Sequence, residues 1–291
     1  MQPHSASHIE LCINLCETTR PDATPYDVEE IVGRACRDAG FPHCERVYVG
    51  SYFCENYFCW LESAFHESVR VFCERHDVKA TLVVPIAGQA FLDRMDLRIA
   101  EALGSFGSLY DEVVVNDVAR FFDLREQYPQ RVGLGRLFSK EMRDARVSSL
   151  MERCALPTLS AEARECMMEL RTGDASEGPV VSPLIELDPV SEVVDASGIL
   201  AEAPDAQIAL HLPYCFATTG RNCAPASIDE RLEEKFRLGR GCSQQCLRID
   251  QDYFTDEGVA YVKHGRTLFF ENPGCALAGT PAWRVVYQAG L

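Results

Sequence analysis

Five cysteines, Cys215, Cys223, Cys242, Cys246 and Cys275, fall in one late stretch of the chain, around the segments TGRNC (Thr219 to Cys223) and GRGCSQQC (Gly239 to Cys246). A CxxxC pair in a tight turn brings two thiolates within reach of one metal centre, and flanking glycines let the backbone close around it. Arg221, Arg240 and Arg248 would offset thiolate charge and lower the thiol pKa values. Structural zinc usually shows two short CxxC-like pairs. One pair plus scattered single cysteines is better suited to an iron–sulfur cluster gathered from several loops. Spacing alone favours a cluster and leaves zinc, or thiols without a metal, open.

A second group carries anion-binding chemistry. Asn116, Arg136, Lys140, Arg143 and Arg146 follow strands expected to end on one face, and arginine grips carboxylates at two points. The competing reading is a solvated helix start in RLFSKEMRDAR. Glu186 and Asp188 end a strand and could do acid–base work, although strand-end carboxylates more often pair with arginines. His211 within LHLPY reads as a core histidine, and His264 carries no pattern. Cys59 is a spare ligand candidate. Cys12, Cys16, Cys36, Cys44, Cys73, Cys154 and Cys166 read as core or surface thiols. Phe53, Tyr57, Phe58 and Trp60 read as core packing, with a subunit interface as the rival.

These residues hang on a regular frame. Strand patterns at IELCINL, ERVYVG, ATLVVPIA, DEVVVN, RVGLGRLF, VVSPLIELD and AQIALHLPY recur with helical patterns between most of them. On the first, Cys12 and Cys16 share a face by the period of two. Pro25-Tyr26-Asp27 opens a helix that Gly40 ends. At least seven βα units predict an α/β fold of (β/α)-barrel type, and no GxGxxG follows the first strand to support a dinucleotide fold. After Cys215 the pattern becomes loop-rich. A final strand and helix are not evident, which predicts a barrel incomplete at its C-terminus or closed by a partner. The whole chain, 1–291, reads as one barrel domain with a cluster-binding segment at about 211–280.

Composition limits the partners. The chain has 291 residues and a net charge of −16, with 44 acidic against 28 basic side chains, so bulk binding to nucleic acid is not expected. No apolar run of about eighteen residues spans a membrane. The first residues, MQPHSASHIELCINLC, lack the basic and apolar regions of a secretory signal. The expected compartment is the cytoplasm, where 14 cysteines mean metal, catalysis or burial rather than disulfides.

The segment LHLPYCFATTGRNC…GRGCSQQCLR resembles the cysteine region of the peptidase U32 family, the collagenase-like proteases. RVYVGSYFC, VVVNDVARF, GLGRLFSKEMRDAR and the tail LFFENPGCALAGTPAWRVVYQAGL resemble further family segments, so the likeness runs from about Glu45 onward. The resemblance implies a barrel-like protein with a 4Fe–4S cluster. It also implies oxygen-independent hydroxylation, or related redox chemistry, on a quinone precursor, another small aromatic or an RNA base. A non-catalytic partner subunit of a heterodimer is the alternative, a homodimer of U32-type chains is also compatible, and a peptidase ranks last, since no Ser-His-Asp order or HExxH is present. The resemblance further implies two ligand sets. One is Cys54, Cys223, Cys242 and Cys246, with Cys54 in Gly50-Ser-Tyr-Phe-Cys54. The other is Cys215, Cys223, Cys242 and Cys275, in which the first spacing is one residue longer than the family's. The first set fits without a gap. The same family places the arginine-rich loop where a carboxylate would be held.

Overall fold

The computed structural model describes residues 8–128, 131–140, 158–172, 182–190, 194–237, 239–249, 252–256, 258–272 and 282–291. Fourteen strands lie among them: β1 (Glu10–Asn14), β2 (Arg46–Gly50), β3 (Lys79–Val84), β4 (Tyr110–Val115), β5 (Arg131–Leu134), β6 (Ser139–Lys140), β7 (Thr158–Leu159), β8 (Leu184–Leu187), β9 (Gln207–Leu212), β10 (Tyr214–Thr219), β11 (Asp252–Asp256), β12 (Val259–His264), β13 (Thr267–Glu271) and β14 (Ala282–Gln288). The helices are α1 (Pro25–Ala39), α2 (Glu55–Trp60), α3 (Ser63–His76), α4 (Leu92–Ser105), α5 (Val118–Gln127), α6 (Ala161–Thr172) and α7 (Ser197–Glu202).

Strands covered on both faces must be apolar along their length. KATLVV is buried at five of its six positions, and all of RVYVG and LIEL are buried. Eight strands close a parallel barrel in the order β1-β14-β9-β8-β5-β4-β3-β2. The helices start where the chain's own caps allow. Thr24 and Asp27 form a reciprocal capping box at α1, Pro25 occupies its first turn, and Gly40 ends it with φ +68°.

The barrel is closed within this chain, which corrects the expectation of an incomplete one. The eighth strand is β14, AWRVVYQ. It pairs in parallel with β1 through Cys12 and Val286 and with β9 through Leu210 and Val285. The region between β9 and β14, read from sequence as loops, instead holds an antiparallel sheet in the order β10-β13-β12-β11. After β2 the chain forms two helices, α2 and α3, with Leu61 extended between them.

The two ends of the barrel interior differ in chemistry. At the N-terminal end, buried Arg284 donates to Glu10 (2.8 Å), Glu112 (2.6 Å) and the Tyr48 hydroxyl (2.6 Å), while Arg46 donates to Glu10 and Asp111. Buried charges persist only when paired in this way. At the C-terminal end, Phe216, Val262 and Phe269 of the antiparallel sheet pack onto Cys16, Tyr52, Phe53 and Val83. The sheet therefore plugs the mouth that most (β/α)-barrels leave for a ligand. No helix among the described residues is long and apolar enough to cross a membrane.

Candidate metal centre

Beside the plugged mouth lies an open pocket of about 750 Å³, its mouth included, and Cys54, Cys223, Cys242 and Cys246 all line it. Cys54 comes from the barrel. Gly50 ends β2 at φ +124°, and a Cβ there would sit 2.1 Å from the Val83 carbonyl oxygen, so only glycine fits the turn. The chain then runs to Cys54, the N-cap of α2, whose sulfur accepts the Tyr57 N–H at 3.5 Å.

Glu17 holds this loop. Its Oε1 accepts the Ser51 hydroxyl and the backbone N–H groups of Phe53 (2.6 Å) and Cys54 (2.9 Å), and its backbone carbonyl accepts from His264 Nε2 (2.8 Å). Glu17 itself stands at φ +66°, a costly conformation for a side chain longer than asparagine. One residue thus joins the end of β1, the Cys54 loop and the antiparallel sheet. Glu17→Ala would remove the acceptor of the Ser51 hydroxyl and the Phe53 N–H, while the Cys54 N–H keeps Ser51 Oγ at 2.8 Å, and the expected loss in urea unfolding is about 2–3 kcal/mol. A change within about 0.5 kcal/mol, the usual range for a surface position, would show that the loop holds itself.

The other three cysteines come from the inserted segment. Ser227 donates to the Cys223 carbonyl (3.2 Å) and accepts from the Phe236 N–H (3.0 Å), which ties the Cys223 turn to the next one. Two side chains of α2 reach across. Asn56 donates to the Arg240 carbonyl (2.8 Å) and the Trp60 indole to that of Cys242 (3.2 Å). Cys246 sits in a 3₁₀ turn opened by Gln244 at φ +58°, and its sulfur lies 4.0 Å from where a Cβ on Gly265 would be. Burial raises the Cys54 and Cys242 pKa values and pushes Cys246 up to about 12, with the neighbouring Cys223 and Cys242 adding to the last. Arg266 opposes the rise at Cys54. Arg266 also pairs with Glu55 at 2.5 Å, and of the other lining arginines Arg237 pairs with Glu234 and Arg240 with Glu230, with Arg221 beside them.

No protein-family model and no curated protein matches this chain. The donor set must therefore speak for itself. Four thiols face a shared space with cationic neighbours, which is the composition an iron–sulfur cluster takes. Among the described residues, no three His, Cys, Asp or Glu side chains converge closely enough to share one metal ion. A single zinc gathers its ligands at about 2.0–2.3 Å, whereas a cluster spreads its thiolates over separate corners.

The remaining candidates lie elsewhere. Cys215 is buried on β10 opposite Phe270 and donates to the Pro189 carbonyl at 3.0 Å, outside the pocket. Cys275, Cys154, Arg143, Arg146 and the Lys140 side chain lie outside the described residues. Cys59 faces the helical core. Asn116 donates to the Val84 carbonyl and accepts from the Leu137 N–H, locking the ends of β3 to β5.

Arg136 was expected to hold a substrate carboxylate, and the structure corrects this. Its guanidinium is 1% exposed, forks onto Asp188 (Nε to the two oxygens at 3.0 and 3.1 Å) and donates to the Tyr214 carbonyl. Tyr52, Phe53, Phe216 and Phe269 surround it with ring centres 5.4–6.0 Å from the guanidinium carbon. A soluble carboxylate would have to evict Asp188 from a sealed aromatic box.

Glu186 is fully buried on β8. It accepts from the Tyr52 hydroxyl at 2.9 Å, and His211 Nε2 lies 3.4 Å away. Glu17, His264 and Arg266 had no sequence signal, because nothing local marks a side chain whose partners lie tens or hundreds of positions away.

Proposed function

We propose that this chain is an iron–sulfur protein of peptidase U32 type, holding a 4Fe–4S cluster through Cys54, Cys223, Cys242 and Cys246. The observation that carries this reading is the meeting of Cys54, from the barrel, with three cysteines of the inserted segment in one pocket. Arg266 beside Cys54 and Arg240 beside Cys242 would offset part of the charge of bound thiolates. Burial keeps the Cys54, Cys242 and Cys246 thiols protonated without metal, so loading would release protons and favour high pH. When bound, the cluster supplies one-electron transfer or a Lewis-acidic iron. By the resemblance, the chemistry is oxygen-independent hydroxylation of a small aromatic or quinone precursor, or of an RNA base.

A second reading, a cluster-bearing partner subunit in a heterodimer, draws support from Ile228, Leu232 and Phe236, apolar side chains exposed on the segment that carries Cys223. Size measurement of protein isolated from its native host distinguishes the two.

Iron and acid-labile sulfide should be measured on protein purified without oxygen. The expected content is about four irons per chain, lost in Cys54→Ala and retained in Cys215→Ala. A full cluster in Cys54→Ala would overturn the ligand set. One zinc per chain, or folded protein that takes up no iron on reconstitution, would overturn the cluster.

A further inference from the structure

Cys242 also lines a second groove, and this one holds no other cysteine. Its space of about 520 Å³, mouth included, is within the range of small-ligand sites. Asn56 and Trp60 of α2, Arg94 of α4 and Gln245 of the inserted segment line it with Cys242. Asn56 and Trp60 are four residues apart and so share one face of their helix. Each spends one donor on the loop opposite, Asn56 on the Arg240 carbonyl at 2.8 Å and the Trp60 indole on the Cys242 carbonyl at 3.2 Å. Those bonds fix one edge of the indole and leave the residue 43% exposed.

The groove keeps groups that the chain itself does not satisfy. The side-chain oxygens of Asn56 and Gln245 are buried and accept no hydrogen bond among the described residues. The Asn56 amide nitrogen is committed to Arg240, so the oxygen is the atom left over. Buried acceptors without a donor are rare in folded proteins. Arg94 is exposed. Asp96 and Glu101 of its own helix pair with Arg120 and Arg98, and Arg94 forms no ion pair among the described residues. Arg240, the other arginine of the groove, is paired with Glu230.

We propose that this groove binds a mononucleotide, a planar heteroaromatic ring that carries one phosphate. The ring stacks on the open face of Trp60, as bases stack on aromatic side chains. Its N–H groups donate to the unmet oxygens of Asn56 and Gln245. Arg94 grips the phosphate, which a guanidinium can hold at two points. The net charge of −16 opposes a polyphosphate strand and leaves the single nucleotide as the favoured form. Adenine and flavin nucleotides both supply this chemistry. The site does not depend on what Cys242 binds in the neighbouring pocket.

Isothermal titration calorimetry of the full chain with AMP, and separately with FMN, reads the binding and shows which ring is preferred. At least one of them is expected to bind at a single site. Trp60→Ala and Arg94→Gln should each weaken it about tenfold or more. Trp60→Phe keeps a ring and loses the indole N–H, and should retain most of the affinity. Arg221→Gln, in the cysteine pocket, should bind as the unaltered chain does. Three results would overturn the site. One is that neither nucleotide binds at millimolar concentration. Another is Trp60→Phe as weak as Trp60→Ala, which would make the indole an anchor of the loop and nothing more. The third is binding lost in Arg221→Gln and kept in Arg94→Gln, which would put the phosphate in the cysteine pocket.

Discussion

Asp188→Ala is expected to lower the stability of this protein by about 3–5 kcal/mol, the cost of leaving a buried charge without its partner. Arg136 is held charged because the facing carboxylate outweighs the desolvation that burial imposes. Asp188 also accepts the Phe216 N–H at 3.2 Å, so its loss loosens the first strand of the inserted sheet as well. Four aromatic rings surround the guanidinium. They provide cation–π attraction, which does not replace the carboxylate that Arg136 forks onto. The double variant Arg136→Met/Asp188→Ala removes both charges and should recover more than half of the loss, since an ion pair replaced by apolar groups is often near neutral. Urea unfolding of the four proteins in the cycle gives the coupling directly. A single-variant loss below about 1 kcal/mol, typical of exposed pairs, would mean that water reaches the box.

The second large effect belongs to Glu186 and depends on pH. Burial drives its pKa from 4.5 to about 8, against the hydrogen bond from Tyr52 and the pull of Arg136. Below pH 4.5 both the folded and unfolded chains keep this proton, and the group is silent. Between 4.5 and 8 the unfolded chain releases it and the folded one does not, so stability falls as pH rises, by about 1.4 kcal/mol per unit. Above 8 the loss levels off. Glu186→Gln keeps the shape and cannot ionise. It should be the more stable protein by about 3 kcal/mol at pH 7, with the gap closing toward pH 4.5. Denaturant titrations across that range read the gap. A difference that does not vary with pH would mean that Glu186 is ionised in the fold.

Glu186 faces Tyr52 and His211 beneath the plug, next to the Arg136 box. Its environment is that of an acid kept neutral at physiological pH, whereas sequence reasoning expected both strand-end carboxylates, Glu186 and Asp188, to pair with arginines. Asp188, two residues on, is the one so paired.

Much of the frame was legible locally. The period-two runs and the helical repeats between them predicted a (β/α)-barrel, and the Pro25 and Gly40 signals bounded α1 within a residue. Cys12 and Cys16 do face the same interior cluster. These features follow from contacts within a few positions, where alternation and capping leave a mark in composition. The Cys242 and Cys246 pair was visible for the same reason, its short CxxxC spacing, whereas Cys223 stood out only as one of several cysteines in the same late stretch. Cys54 was not visible from spacing, and came only through the resemblance.

What the tertiary structure alone decided lies at long range. AWRVVYQ becomes the eighth barrel strand because β1 and β9 leave an open edge that its backbone can fill. That is a property of the closed sheet and not of the segment. The loop-rich reading after Cys215 failed because short antiparallel strands gain order only from the aromatic faces they cover. Arg136 turned inward because Asp188, 52 positions away, and four rings from three separate regions assemble around it. Glu17, His264 and Arg266 gain their roles only once the β1 end, the Cys54 loop and the inserted sheet meet. Local pattern sets which segments become strands and helices. The side chains that end up paired, buried or facing a pocket are chosen by desolvation across elements, and no window of sequence contains that term.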